Sequence, residues 1–339
     1  MNEKIFISPE ELKSICISSL CKNGVSEEEA KLVIDTMIEA DMRGVTSHGI
    51  QNLPVYIKRI QNGGINIKAK PEVIQVSENQ WLIDGKGCLG QIAAIEGVKL
   101  LAEAGKKNKV AVVGVKNTNH CGMLAYYTKR ISSENCIGFM CSNANPTMAA
   151  FGGAEPVLGT NPFSVAIPYK KSHVIVDMAT SSVAKGKIYE YERKGLSIPV
   201  GWALDFEGKP TSSAVDALNG VLLPFAGHKG YSIALIVEIL SGVLTGSAYS
   251  KMIFSLHKDA DKIQNVGFFM AIVPITPFMD IETFNKRLEV LLSIVKNSKK
   301  QEGVEEILFP GELEERLYEK SLTQGIGIDK EILDQIKSI

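Results

Sequence analysis

Two of the five histidines sit in short polar cassettes, Thr46-Ser47-His48-Gly49 and Asn117-Thr118-Asn119-His120-Cys121-Gly122. An imidazole titrates near neutrality, so a histidine beside hydroxyl, amide and glycine neighbours is placed to take up or release a proton at working pH. The ordinary alternative for either is a turn or helix-cap residue, because Ser, Asn and Gly are also the usual turn formers. Lys229, with Gly227 and Gly230 on either side, can bring an ammonium to a phosphate or a carboxylate where the backbone approaches closely. Asp177, closing the β-rich run Val174-Ile175-Val176, can accept a hydrogen bond from a ribose or an amide.

The elements that must position these groups begin with two helices. Ser8-Pro9-Glu10-Glu11 and Ser26-Glu27-Glu28-Glu29 read as capping boxes, the first with proline at the tolerated first position. Gly44 can end the second helix. A third is expected from about His48 to Ile60, with Leu53, Tyr56, Ile57 and Ile60 on one side. Ser47 and His48 would then sit at a helix N-terminus, where backbone N–H groups favour an anion such as a carboxylate. From about Ile74 strands and helices alternate. Residues 80–84, 110–115, 137–141, 174–177 and 268–275 read as strands, and 91–106, 125–133, 230–245, 283–296 and 329–338 as helices. The expected fold class is α/β.

Gly85-Lys86-Gly87-Cys88-Leu89-Gly90 is a literal dinucleotide fingerprint between a strand and a helix. The next strand, however, closes on Val115-Lys116-Asn117, without the acid that would hold an adenosine ribose. A tight turn with close helix packing is the better reading of these glycines.

The 339 residues are 45% hydrophobic and carry a formal net charge of −1. That balance gives no electrostatic reason to expect nucleic acid or an anionic membrane and points to a small-molecule partner. Six scattered cysteines without a CxxC pair favour reduced thiols over structural zinc. The charged start of the chain is not a signal peptide, and no window reaches ~18 apolar residues. A cytoplasmic protein is expected.

Nine motifs occur in order: Asp41-Met42-Arg43-Gly44 with Ser47-His48-Gly49, Asn117-x-x-His120-x-Gly122, Phe151-Gly152-Gly153-Ala154-Glu155, Gly159-Thr160-Asn161-Pro162, Asp177-Met178-Ala179-Thr180, Gly201-Trp202-Ala203-x-Asp205, Gly227-His228-Lys229-Gly230-Tyr231, Leu240-Ser241-Gly242-x-Leu244-Thr245-Gly246 and Pro310-Gly311-Glu312. Together they resemble the malate/L-lactate dehydrogenase family, which includes ureidoglycolate and sulfolactate dehydrogenases, diketogulonate reductase and cyclic imino acid reductases. The resemblance covers nearly the whole chain. It implies a homodimeric oxidoreductase that uses NAD or NADP to interconvert 2-hydroxy and 2-oxo acids. The implied architecture is an N-terminal helical segment (1–75), a mixed-sheet, non-Rossmann coenzyme domain (76–310) and a C-terminal helical segment (311–339) packing back on the first.

Carried over residue by residue, the acid/base falls on His120, with His48 as the alternative and Ser47 orienting it. The implied coenzyme positions are Asp177, Met178, Ala179, Lys229, Gly311 and Glu312. Thr160 stands in the family's substrate-contacting turn. Many members have an arginine where this chain has Asn52, so a substrate carboxylate would rest on Lys229, Arg43 or the turn at Ser47 and His48. Imine-reducing members carry an aspartate where this chain has Lys187, which leans towards a carbonyl substrate. An imine reductase on the same scaffold and a non-catalytic nucleotide-binding relative are the alternative readings.

Overall fold

The computed structural model describes residues 4–339; Met1–Glu3, part of the expected leading segment, lie outside the described residues. The helices are α1 (Pro9–Lys22), α2 (Glu27–Met42), α3 (Leu53–Gln61), α4 (Gly90–Lys106), α5 (Ala125–Ile131), α6 (Lys185–Arg193), α7 (Ala214–Asn219), α8 (His228–Glu238), α9 (Ile281–Lys296), α10 (Glu312–Gln324) and α11 (Lys330–Ser338). The strands are β1 (Lys4–Ile7), β2 (Glu72–Ser77), β3 (Gln80–Asp84), β4 (Ala111–Thr118), β5 (Cys136–Ser142), β6 (Met148–Ala149), β7 (Pro156–Leu158), β8 (Phe163–Tyr169), β9 (Ser172–Met178), β10 (Ala203–Leu204), β11 (Val221–Leu222), β12 (Val266–Pro274) and β13 (Ile326–Asp329).

Seven strands form the main sheet in the order β2-β3-β4-β12-β5-β8-β9. Only β3 and β4 run parallel in it, joined by α4; the other neighbours are antiparallel. The fold is therefore α/β with a mixed sheet and not a doubly wound Rossmann fold. The central strand β12 buries Phe268, Met270 and Ile272 completely, each such side chain contributing roughly 1.5–3 kcal/mol. One hydrophobic cluster joins α1, α2, α3 and α11 to α4, α5, β4 and β12. A separate small core, with Met148, Leu158, Ile188, Ala203, Leu222 and Ala234, underlies the short sheet β10-β11-β6-β7. β1 pairs antiparallel with β13, Lys4 opposite Asp329.

Ser8 and Ser26 cap their helices as their spacing predicts, accepting from the backbone N–H of Glu11 and Glu29. Gly44, at φ +77, ends α2 in the left-handed conformation that favours glycine. The third helix differs from expectation. It begins at Leu53 with Pro54 in its first turn, and Thr46–His48 and Ile50–Asn52 form separate 3-10 turns. Gly49, extended at φ −85 and ψ −161, breaks the run between them. Ser47 and His48 therefore do not stand at the start of an α-helix, and the expected helix-dipole contribution there falls away. The helix expected at 230–245 starts at His228 and passes into a π-helical turn at Ile239–Val243.

Candidate active site

The first cassette is held from below by the last turn of α2. Asp41 Oδ2 accepts the Ile50 N–H at 2.8 Å. A Cβ on Gly49 would lie 1.9 Å from Asp41 Oδ1, so the carboxylate can brace this turn only because residue 49 has no side chain. Burial raises the Asp41 pKa to about 7, with the Ile50 N–H acting in the opposite direction. Asn52 donates through Nδ2 to the Ser47 carbonyl at 2.7 Å, and Ser47 Oγ lies 3.0 Å from His48 Nδ1.

The second cassette leaves β4 through Thr118. Asn119 Nδ2 donates to the carbonyls of Gly87 and Cys88 at 2.9 and 3.0 Å. Gln264 accepts the His120 N–H at 3.0 Å and returns its own N–H to Asn119 Oδ1 at 3.1 Å. A Cβ on Gly90 would lie 2.0 Å from the Asn119 carbonyl oxygen and 2.6 Å from that of His120. The first turn of α4 thus packs directly on the backbone that presents His120. The glycine-rich run positions this histidine, which accounts for its match to a dinucleotide fingerprint without a Rossmann fold around it.

The two cassettes meet. The rings of His48 and His120 stack with centroids 5.6 Å apart and planes 26° apart. Tyr56, on α3, places its Oη 2.6 Å from His120 Nδ1 and 3.3 Å from the His120 carbonyl oxygen, and accepts from Gln91 Nε2 at 3.2 Å. Burial lowers the pKa of His48 to about 4. Burial first, then the charges of His48 and His257, lower that of His120 to about 3. Both rings are neutral at pH 7. Burial moves the Tyr56 hydroxyl well above its ordinary range, so it stays protonated.

Both imidazoles line a cleft of about 2710 Å³ that also takes in Asn52, Thr160, Asp177, Met178, Ala179 and Gly311. Asp177 Oδ2 accepts the Ala125 N–H at 2.7 Å, and its enclosure in the cleft raises its pKa to about 7. The end of β9 is where the expected coenzyme segments converge. The Ile175 N–H donates to the Pro310 carbonyl at 2.9 Å, which brings Gly311 alongside, and the Phe225 N–H donates to the Thr180 carbonyl at 3.0 Å, which brings the loop before Lys229. Thr180 in turn binds the Thr160 carbonyl through its N–H and hydroxyl.

Three expected site residues are less directly placed. Lys229 is exposed in the first turn of α8 and does not line the cleft. Glu312 is committed to Lys296 at 2.6 Å and Arg316 at 2.7 Å. Arg43 reaches the cleft wall, but its guanidinium is ion-paired with Glu39 at 3.1 Å and Glu315 at 2.9 Å and lies over the Tyr318 ring.

Comparison with known proteins decides the family. The model of the malate/L-lactate dehydrogenase family matches residues 7–337. The chain belongs to that family. It is 39% identical over 335 residues to the L-sulfolactate dehydrogenase of Methanocaldococcus jannaschii, covering 99% of this chain and 96% of that one. It is 31% identical over 335 residues to the ureidoglycolate dehydrogenase (NAD(+)) of Escherichia coli K12, covering 98% and 95%. The solved malate dehydrogenase of Entamoeba histolytica superposes with a TM-score of 0.93 at 31% identity, covering 99% of this chain and 97% of that one. This family member is accordingly a dehydrogenase of CH–OH groups.

Sequence reasoning placed both imidazoles but missed what holds them. Tyr56 sat on an apolar stripe and read as core; Gln91 and Gln264 gave no motif, and Asp41 stood in a family motif with no role assigned to it. Arg59 lay within the expected third helix with no role assigned to it, yet it is fully buried and donates to the carbonyls of Ser255, Leu256, Asp259 and Lys262. Its only legible signal was a cation two positions beyond Ile57, close to the buried face of α3.

Proposed function

We propose that this dehydrogenase interconverts a small 2-hydroxy acid and its 2-oxo acid with NAD or NADP, and that His120 exchanges the hydroxyl proton. The observation that carries the reading is the stacked His48–His120 pair with Tyr56 behind it. The coenzyme fits the cleft on chemical grounds. There is room for a dinucleotide, the apolar surface of Met178 and Ala179 stands beside the Asp177 carboxylate, and Gly186 has open space where a side chain would project. Asp177, Met178, Ala179 and Gly311 are the residues we assign to holding it, with Lys229 and Glu312, outside the cleft lining, flanking the segments that reach it. When bound, the nicotinamide supplies or takes the hydride.

The protein's own part is the proton. Tyr56 Oη can turn its hydrogen towards His120 Nδ1 or towards the His120 carbonyl. In the first orientation Nε2 carries the proton and donates to a forming alkoxide. In the second, Nδ1–H donates to the tyrosine oxygen and Nε2 is free to accept the proton of a hydroxyl. A positioned acid/base of this kind contributes ~10²–10⁴ in rate. His48, oriented by Ser47, polarises the substrate oxygen from the stacked position. Asn52 and Thr160 on the cleft wall, with Arg43 behind it, are assigned to the substrate's carboxylate end.

The test is a panel of 2-oxo acids with NADH and NADPH, read as loss of absorbance at the reduced nicotinamide band, with a cyclic imine alongside. Turnover of an acid supports the reading, and turnover of the imine alone replaces it.

The same reading makes the working form a cytoplasmic homodimer. Five of the six free cysteines are buried thiols. Ile236, Ile239, Val243 and Leu244, all exposed, form an apolar strip along α8 and the π-helical turn, of the kind that marks an interface. Light scattering on the pure protein tests it.

A further inference from the structure

Glu238, the last residue of α8, is 4% exposed, and its carboxylate stands among neutral donors. Oε2 accepts from Asn161 Nδ2 at 2.6 Å, while Oε1 accepts the Ser250 N–H at 2.7 Å and lies 3.5 Å from Asn143 Nδ2. Burial raises its pKa, and these three donors act against the rise. An enclosed carboxylate is tolerated where donors surround it. Here each donor comes from a different segment: the end of β5, the turn between β7 and β8, and the 3-10 turn Ser250–Met252.

The two asparagines carry the contact onward. Asn161 is fully buried and adopts φ +36, an uncommon conformation for a residue with a side chain. Both ends of its amide are engaged. Nδ2 also donates to the Ala234 carbonyl at 2.9 Å, and Oδ1 accepts the Ala144 N–H at 3.2 Å. Asn143 donates to the Ala248 carbonyl at 2.8 Å and accepts the Gly267 N–H at 2.9 Å. A Cβ on Gly159 would lie 2.6 Å from Asn161 Oδ1, and one on Gly242, in the π-helical turn, 2.9 Å from Asn143 Nδ2. The backbone thus closes tightly on both amides.

Thr160, Pro162 and residues 142–147 line the cleft, whereas Glu238 does not. Its carboxylate therefore reaches the cleft through Asn161 and Asn143. A backbone conformation such as that of Asn161 persists where its surroundings over-determine it, and such residues collect at ligand clamps.

Resting on the assignment of Thr160 to the substrate made above, we propose that Glu238 is a positioning residue. By holding Asn161 and Asn143 it sets the Thr160 turn and the adjoining residues 143–145 against the substrate, separately from the proton step at His120.

The experiment measures kcat and KM for pyruvate and oxaloacetate, and NADH affinity by fluorescence, in the parent, Glu238→Gln, Asn161→Gly, Thr160→Val and Glu238→Gln combined with Thr160→Val. Glu238→Gln keeps the shape of the side chain but faces one of its donors with another donor. Asn161→Gly cuts the same link and suits a positive φ, so it answers the question if Glu238→Gln does not fold. Each should raise KM for the acids about tenfold, with kcat changed less and NADH affinity kept. Thr160→Val should raise KM as well, and adding it to Glu238→Gln should raise it no further, because a displaced turn has no placed hydroxyl to lose.

Effects that multiply in the double variant overturn the proposal, as do unchanged KM values in Glu238→Gln and Asn161→Gly, or a parallel loss of NADH affinity. If Thr160→Val alone is silent while the other two changes raise KM, Glu238 stands as a positioning residue and the assignment of Thr160 fails. If the parent reduces only the cyclic imine, the 2-oxo acid reading fails and the imine's KM decides the role of Glu238 by the same comparison. Where nothing is turned over, calorimetric binding of pyruvate to the parent and to Glu238→Gln replaces the kinetics, and equal affinities overturn the role.

Discussion

Tyr56 Oη lies 2.6 Å from Nδ1 of His120, on the side of the ring away from the nitrogen left for substrate. The tyrosine cannot itself serve as the base, since burial keeps its hydroxyl protonated, but it sets which nitrogen carries the imidazole proton. Tyr56→Phe should lower kcat by about tenfold or more while leaving the KM for coenzyme nearly unchanged. A matching fall in coenzyme affinity would make the tyrosine a packing residue.

His120→Ala should lower turnover by at least ~10² with coenzyme binding preserved, because an acid/base acts in the transition state. Single-turnover measurement of hydride transfer checks it. Near-normal rates would move the proton to His48.

Gly90→Ala should destabilise the fold by roughly 1–3 kcal/mol or more, the usual cost of overpacking, and should reduce activity in whatever fraction folds, because the new methyl group presses on the carbonyls of Asn119 and His120. Gly186→Ala, where there is open space, is the control and should melt as the parent does. Equal melting temperatures for the two variants would contradict the close contact.

Asp41 gives a pH signature. Its folded pKa is about 7 against an ordinary 3.8, so between these values the folded state binds more protons than the unfolded state. Its contribution to stability is full below pH 4, falls as pH rises to 7 and is lost above. The depressed pKa values of His48 and His120 act in the opposite sense, losing stability as pH falls below 6.5. Asp41→Asn keeps an acceptor for the Ile50 N–H and should gain stability relative to the parent at pH 8 compared with pH 4. Melting curves at the two pH values decide it, and a constant difference would refute the assignment.

Asn52→Arg should place a bidentate donor on the cleft wall and tighten pyruvate binding about tenfold, at some cost to the Ser47 turn that Asn52 now braces. If KM for every acid stays put, residue 52 does not face the carboxylate.

Much of this site was legible because its groups are polar residues in otherwise sparse company. His48, His120 and Asp177 stood out by type and neighbours and Thr160 by the family resemblance, and all four line one cleft. Most of the long strands and helices were legible from period and caps, β8 and α10 excepted. The short strands β6, β7, β10 and β11 were not, because two or three residues carry no period. The 3-10 turns before α3 were hidden by a helical pattern that Gly49 interrupts. Tyr56, Gln91, Arg59 and Gln264 lay beyond reach for another reason: each is defined by a partner far away in the chain, and spacing along one element holds no record of it.

The pairing of β1 with β13 makes part of the cleft wall a long-range contact. Lys4 and Ile326–Asp329 both border the cleft, and Lys4 lies opposite Asp329 in the ladder, so this wall closes only when two strands far apart in the chain find each other. Closing so long a loop costs conformational entropy that the local contacts within a helix do not. The histidine cassettes can therefore take up their turns before the wall beside them is in place.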